Sequence, residues 1–310
     1  MNDSTIDISI VIPTYNEEKV IVNKLNNTIN LNYPKDRMEI IVVDCSNDKT
    51  VKFIEDWAKD HRDIKLILHH DDKRKPVVYA TNKGISLASG EIIIRVDADS
   101  TLEKESLKRV METFKDKKIG CVTGRPSPVG STKEKDYRDI GTKMQLLETK
   151  IDSSLISHGS FTAFRKNINV VIDERFGAED SGISVKVRKL GFRSVLNPEI
   201  IFYEKISLKG REEQKIRRAA SLISMLWANK DVLFNIKYGW YGILIFPFYF
   251  FLTIVIPFLL SPLLIILILF NIKGGTGLET FQFLLKAIYT LLFVNKSTVY
   301  WEKDEDIRGT

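Results

Sequence analysis

Between Tyr238 and Ile272 the chain carries no charged side chain, and Tyr241 to Phe270 is almost wholly apolar. An α-helix rises about 1.5 Å per residue and needs about 20 apolar residues to cross the hydrocarbon core of a bilayer, so this stretch has length to spare. Pro247, Pro257 and Pro262 interrupt it. Each removes a backbone donor, which permits one long, kinked, tilted helix or a tight hairpin of two short ones; the single kinked span is the expectation. Phe281 to Val294 is a second apolar segment, broken by Lys286, which its flanks Leu278 and Tyr300 extend into another span or an interfacial helix. The expected organisation is a soluble domain over residues 1–210, amphipathic interface helices over 211–237, a membrane region over 238–300 and a polar tail over 301–310. Trp227, Trp240 and Trp301 fall near the expected boundaries, where an amphipathic ring is stable at the headgroup level.

The soluble part alternates short β-rich runs with amphipathic helical patterns. That is the pattern of an α/β fold, a mostly parallel sheet with crossover helices. Strands are expected at Ser9–Ile12, Glu39–Val43, Lys65–Leu68, Glu91–Val96 and Ile119–Val122. Helices are expected at Asn16–Asn30, from the turn Asp44–Asp48 to about Lys59, at Val77–Ser89, about Glu103–Phe114 and roughly Lys135–Ile151. Ligands in such sheets sit outside the carboxyl ends of the strands. Three of those ends carry polar loops: Thr14-Tyr15-Asn16-Glu17, Asp44 to Asp48, and Asp97 to Ser100.

The third loop holds two carboxylates one residue apart, Asp97 and Asp99. Side chains alternate across a strand, so the two point the same way while the chain stays extended, where a hard cation and a diphosphate can meet. The plainer alternative is a solvated strand end whose acids cap the helix starting near Leu102. Farther on, Glu179 and Asp180 open a helix running to Leu190, in the first turn where the dipole favours negative charge. Arg211 to Asn229 is a basic helical pattern just ahead of the apolar stretch.

Composition narrows the classes. The net charge of +6 in 310 residues is modest, and no nucleic-acid motif accompanies it, so the positive balance reads as attraction to lipid headgroups and phosphates. Four His and two Cys without ligand spacing give a zinc site no support, and Cys45 and Cys121 read as buried small hydrophobes. Met1 to Asp7 is polar and acidic with no apolar core, so no cleaved signal peptide is expected and the soluble part is expected in the cytosol.

Taken in order, the motifs resemble the family 2 glycosyltransferases of the GT-A fold, in particular the membrane-bound branch that includes cellulose and hyaluronan synthases and polyprenyl-phosphate glycosyltransferases. Val11-Ile12-Pro13-Thr14-Tyr15-Asn16-Glu17 resembles the opening strand and nucleotide loop, and Val42-Val43-Asp44-Cys45-Ser46-Asn47-Asp48 the second loop. Asn82-Lys83-Gly84-Ile85 and Ala88-Ser89-Gly90-Glu91 precede the Asp-x-Asp as they do in that family. Gly177-Ala178-Glu179-Asp180 is similar to the segment ending in the catalytic base, and Gln214-Lys215-Ile216-Arg217-Arg218 resembles Q-x-x-R-W with Arg218 in place of Trp.

The resemblance implies a UDP- or GDP-sugar donor, an Mg2+ or Mn2+ ion held by Asp99 and Asp97, and transfer with inversion. Asp180 is implied as general base, with Glu179 orienting. Pro13, Tyr15, Glu17, Asp44, Asp97, Gln214, Arg217 and Arg218 are implied to bind the donor, and His158, Gly159 and Phe161 fall in its acceptor-side stretch. Arg217 and Arg218 fit a membrane-surface role equally, since they belong to the basic helix. The missing Trp points away from long polymers and toward single or short additions to a lipid-linked or glycan acceptor. The competing readings are a processive polysaccharide synthase, a nucleotidyltransferase and a non-enzymatic membrane scaffold. A nucleotidyltransferase expects a Gly-rich loop with Arg and Lys after the first strand, which Thr14-Tyr15-Asn16-Glu17-Glu18-Lys19 is not.

Overall fold

β-Branched residues pack well on a pleated surface, and the runs richest in them form the centre of the sheet. In the computed structural model, which describes residues 6–130, 132–173, 179–205 and 211–259, these are β1 (Ile8–Thr14), β2 (Met38–Asp44), β3 (Lys65–His70) and β4 (Ile92–Arg95). All four are parallel, with Ile10 opposite both Ile40 and Ile94. Three antiparallel pairings then enter through β5 (Ser100–Leu102), β6 (Ile119–Val129), β7 (Thr162–Arg165) and β8 (Arg193–Lys205). The sheet has eight strands in the order β3-β2-β1-β4-β7-β6-β8-β5. It is therefore a mixed sheet, parallel in its first half as the sequence predicts.

Alternation along the strands divides the core in two. Ile8, Ile10, Ile12, Ile40 and Val42 face one layer, with Ile21 and Leu25 of α1 (Ile21–Ile29) and Ile54 and Trp57 of α2 (Thr50–Asp60). Val11, Ile41, Val43 and Ile93 face the other, with Val78 and Ala80 of α3 (Val77–Leu87). Fully burying each of these aliphatic side chains is worth about 1.5–3 kcal/mol. Helix α3 lies so close to the sheet that a Cβ at Gly84 would fall 2.3 Å from Val11 Cγ1. The first layer also receives Leu107 and Val110 of α4 (Ser106–Thr113), and the second Ile183 and Val187 of α6 (Glu179–Lys189). Between them in the chain, α5 (Thr132–Ile151) is the longest helix among the described residues.

Three expectations change. The helix expected from Asn16 begins at Ile21, because residues 14–18 are engaged by the loop after β2. Strands β5, β7 and β8 were not foreseen as strands at those positions: two are only three or four residues long, and Asn197-Pro198-Glu199 interrupts the pattern of β8. The Asp-x-Asp is not an extended strand end. β4 stops at Arg95, and Asp97 to Ser100 form a turn closed by Ser100 N–H on the Asp97 carbonyl at 3.3 Å.

The described residues divide into two compact units, the sheet domain and a second unit that takes in residues 211–259. The second unit contains α7 (Arg211–Ala228) and a helix reaching Leu259. Tyr241–Leu259 is 19 residues long and apolar enough to cross a membrane. Its middle residues Phe246–Phe250 are α-helical, with π turns at Tyr241–Ile245 and Phe251–Val255. These wider turns stand beside Pro247 and Pro257, where the regular i→i−4 ladder cannot continue. Trp227 stacks on Phe250 with centroids 6.1 Å apart. The second apolar segment, Phe281 to Val294, and the tail with Trp301 lie outside the described residues.

Candidate active site

The loops after β1 and β2 are stitched together by their polar side chains. Asn16 takes a left-handed backbone, φ 53°, which Asn tolerates better than most residues. Its N–H donates to Ser46 Oγ at 2.7 Å, and its Oδ1 accepts from Asn47 N–H at 2.9 Å. Glu17 N–H donates to Thr50 Oγ1 at 2.8 Å. Glu17 itself is buried, while Pro13 and Tyr15 are half-buried. The guanidinium of Arg74 lies 4.5 Å from the Tyr15 ring centroid, a cation–π contact.

Asp44 ends β2 with a sealed carboxylate. Oδ1 accepts from Thr14 Oγ1 at 2.6 Å and Ser46 Oγ at 2.5 Å, and Oδ2 accepts from Ser46 N–H at 2.9 Å and faces His70 Nδ1 at 2.8 Å. It thus ties the ends of β1, β2 and β3 together. The ring of His70, itself part-exposed, is the neighbour that reaches the surface.

Beneath the Asp-x-Asp lies a charge cluster. Arg95, wholly buried at the end of β4, places Nη1 2.8 Å from Asp97 Oδ1 and donates to the Gly159 carbonyl. Ser160 Oγ is 3.2 Å from Asp97 Oδ2 and also bonds Glu204 of β8, which Arg138 of α5 contacts at 3.2 Å. From the other side Lys24 of α1 reaches Ser100, its Nζ donating to the carbonyl at 3.0 Å and to Oγ at 3.2 Å. Burial pushes the Lys24 ammonium down to about 7, against the pull of Asp97 and Asp99.

Asp180 joins this cluster across Gly159. A Cβ at residue 159 would fall 2.7 Å from Arg95 Nη1 and 3.5 Å from Asp180 Oδ2. The glycine is what lets guanidinium, carbonyl and second carboxylate meet. Asp180 Oδ1 accepts from Ser181 N–H at 2.7 Å. The helix beneath it is held by Ser184, one turn on, whose Oγ is 2.5 Å from Ser157 Oγ and 2.9 Å from Ser194 Oγ.

The acceptor-side expectations separate. His158 is half-buried, its Nε2 3.2 Å from Gln145 Oε1 and its ring tilted against Phe202. Phe161 is fully buried in the first core layer, its ring stacked near Phe202 at 6.4 Å. Arg217, half-buried, and Arg218, exposed, stand on α7 in the second unit. The side chains of Glu179 and Gln214 lie outside the described residues, as do Gly177 and Ala178. Sequence reading missed Arg95, Lys24, Ser160 and Glu204. Only Lys24 left a signal, a charge in the inward i, i+3, i+4, i+7 row Ile21, Lys24, Leu25, Thr28.

At the Asp-x-Asp turn the two carboxylates offer a metal ion hard oxygen donors. No group of three or more His, Cys, Asp or Glu capable of holding an ion occurs among the described residues. Asp97 and Asp99, in one turn, fit an ion that keeps most of its positions for phosphate oxygens and water, which is the habit of Mg2+ and of Mn2+.

A parallel sheet with acid-bearing loops at its carboxyl edge, continued by antiparallel strands carrying a second acid-bearing helix, defines a GT-A nucleotide-sugar transferase. The model of glycosyl transferase family 2 matches residues 9–171, and that of glycosyl transferase family group 2 matches residues 92–296. The chain belongs to glycosyl transferase family 2, and it is a glycosyltransferase that uses nucleotide-sugar donors. It is 28% identical over 299 residues to the dolichyl N-acetyl-alpha-D-glucosaminyl phosphate 3-beta-D-2,3-diacetamido-2,3-dideoxy-beta-D-glucuronosyltransferase of Methanococcus voltae, covering 90% of this chain and 88% of that one. Against the poly-beta-1,6-N-acetyl-D-glucosamine synthase of Staphylococcus epidermidis the identity is 27%, covering 68% of this chain and about half, 53%, of the synthase. Among solved structures, the mannosyltransferase PcManGT from Pyrobaculum calidifontis in complex with GDP-Man and Mn2+ shares the fold, with a TM-score of 0.73 at 23% identity over 94% of this chain and 90% of that one.

Proposed function

We propose that this chain is an inverting hexosyl- or N-acetylhexosaminyltransferase, integral to a membrane with its sheet domain in the cytosol, that delivers sugar to a lipid-linked or glycan acceptor. The observation that carries the reading is the meeting of Asp97 and Asp180 around the Arg95–Gly159 contact. Asp97, paired with the Arg95 guanidinium, and Asp180, at a helix start, suit two different tasks.

The donor base lies by Tyr15 and His70, with Asp44 positioning the latter, and Pro13 and Glu17 shape the floor of that loop. Asp97 and Asp99 would hold Mg2+ or Mn2+ at the diphosphate end, where the ion would stabilise the charge that grows on the leaving group. Arg95 fixes the Asp97 carboxylate, and Ser160 fixes its other oxygen. Asp180 takes the proton from an acceptor hydroxyl as that oxygen attacks the anomeric carbon opposite the diphosphate. The bond from the anomeric carbon to phosphate breaks, its electron pair leaves with the nucleoside diphosphate, and configuration inverts. Gln214, Arg217 and Arg218 are assigned to the diphosphate from the family motif, Glu179 to orientation, and His158 and Gly159 to the acceptor side.

The Methanococcus relative, whose name describes transfer to a dolichyl-phosphate-linked sugar, supports a lipid-linked acceptor. The Mn2+ and GDP-Man bound to the Pyrobaculum enzyme support the metal and the donor class. The test is transfer from labelled UDP- and GDP-sugars to membrane lipid extracts with Mn2+ or Mg2+, followed by NMR assignment of the new anomeric centre. A retained configuration, or full activity in Asp180→Asn, overturns the mechanism.

A further inference from the structure

Helix α5 is amphipathic the wrong way round for a water-facing helix. Its inner side is polar: Glu134, Thr142, Gln145 and Glu148 are buried. Arg138 pairs with Glu134 at 3.3 Å and Glu204 at 3.2 Å, Gln145 Nε2 donates to the Ile156 carbonyl at 2.8 Å, and Glu148 Oε2 accepts from Leu155 N–H at 3.1 Å. Its outer side carries Tyr137, Ile140, Met144, Leu147 and Ile151, spaced three and four apart and so in one row. Tyr137 is 67% exposed, Ile140 61% and Leu147 59%. Scattered exposed apolar residues need no explanation, but a continuous row over a helix whose polar side is turned inward does.

We propose that this row is a lipid-facing surface, immersed at the headgroup–acyl boundary of a bilayer. Three observations favour lipid over other occupants. Along the helix from Lys135 to Ile151 the exposed charges are Lys135, Asp136, Lys143 and Lys150, three lysines to one acid, with Lys143 and Lys150 on the same edge of the row. Lysines so placed reach back to lipid phosphates while their stems cover apolar surface, and each contributes about 1 kcal/mol near an anionic leaflet. The same chain carries Tyr241–Leu259, long and apolar enough to enter a bilayer. A second copy is disfavoured by area: five partly exposed side chains present on the order of 500 Å2, short of the roughly 800 Å2 per partner of a stable interface. The inner side of α5 bonds His158 through Gln145 and Ser160 through Arg138 and Glu204. Bilayer contact on one side of the helix is thus connected to the site on the other, whichever sugar is moved.

The test uses the full chain in nanodiscs of mixed phosphatidylcholine and phosphatidylglycerol. Cys45 and Cys121 are both buried, so Ile140→Cys, Leu147→Cys and the control Lys117→Cys are each labelled selectively with bimane. Doxyl lipid is expected to quench bimane at 140 and 147 by about twofold or more relative to 117, and iodide to quench only 117. Iodide quenching at 140 and 147 without a doxyl effect places the row in water and overturns the proposal. Cross-linking between copies at 140 without doxyl quenching assigns the row to a second copy, and protection from both quenchers without cross-linking assigns it to the rest of the chain; either result overturns it too.

Discussion

Arg95 and Asp97 are two residues apart in sequence and 2.8 Å apart at Nη1 and Oδ1, with the guanidinium wholly buried. Losing one partner of a buried pair costs about 3–5 kcal/mol, because the other charge is left uncompensated. Arg95→Met is therefore expected to lower stability by about that amount, readable by urea unfolding, and to weaken metal-dependent donor binding by calorimetry. Arg95→Lys keeps the charge but not the planar guanidinium whose Nη1 contacts both Asp97 and the Gly159 carbonyl, so it should recover stability in part and donor binding little. Wild-type donor binding in both variants would remove Arg95 from the site.

Asp180→Asn should leave the helix start and its 2.7 Å bond from Ser181 in place, since the amide oxygen still accepts. Loss of a general base costs roughly 10^2–10^4 in rate. We expect kcat to fall by that factor with nucleotide binding unchanged, measured by steady-state transfer and by titration with UDP and GDP. A fall in nucleotide affinity that matches the fall in rate would assign Asp180 to the donor instead.

Gly159→Ala puts a methyl group 2.7 Å from Arg95 Nη1. Overpacking of this kind costs about 1–3 kcal/mol, and relief requires Arg95 to leave the Gly159 carbonyl or Asp97 to shift. The expected result is a folded protein with a lowered melting temperature and transfer reduced more than stability alone explains. Gly141→Ala, where an added Cβ meets nothing within 4 Å, is the matched control and should be neutral or slightly stabilising.

Glu39 sits inside the sheet with its side chain sealed, 2.6 Å from Lys65 and accepting from Ser9 and Ser89. Burial alone raises its pKa, but the bonds from Lys65, Ser9 and Ser89 outweigh this and hold it at about 2. A carboxylate depressed in the folded state contributes stability that is present above its unfolded value near 4.5 and is lost as pH falls toward 2. The loss is on the order of 2–3 kcal/mol across that window. Denaturant midpoints should drop between pH 4.5 and 2 in the wild type, and Glu39→Gln should be less stable at neutral pH with a flatter acid limb. A parallel decline in both proteins would deny Glu39 the role.

How much of this could be read beforehand depended on whether a residue's role left a periodic trace. β1, β2, β3 and β4 were legible because Ile and Val recur on both faces of a doubly covered sheet. The loops at their carboxyl ends were legible because Asn, Asp and Ser punctuate the runs. β8 was hidden by Asn197-Pro198, and the turn at Asp97 to Ser100 could not be told from a strand end by alternation over so few residues. Arg95 reads as a surface residue in any composition-based account, and only the antiparallel return of β7 beside β4, which carries the 158–160 segment to it, makes it interior. The reversed polarity of α5 escaped for a related reason. A helical period shows that a helix has two faces, and packing decides which one looks outward.

The cross-bonding of Asn16 with Ser46 and Asn47 has a thermodynamic corollary. If these loops form the nucleotide site as proposed, two strand-end segments already latched to one another surrender little freedom when a nucleotide binds. Their ordering is settled once, during folding, and each turnover begins from a socket that is already set.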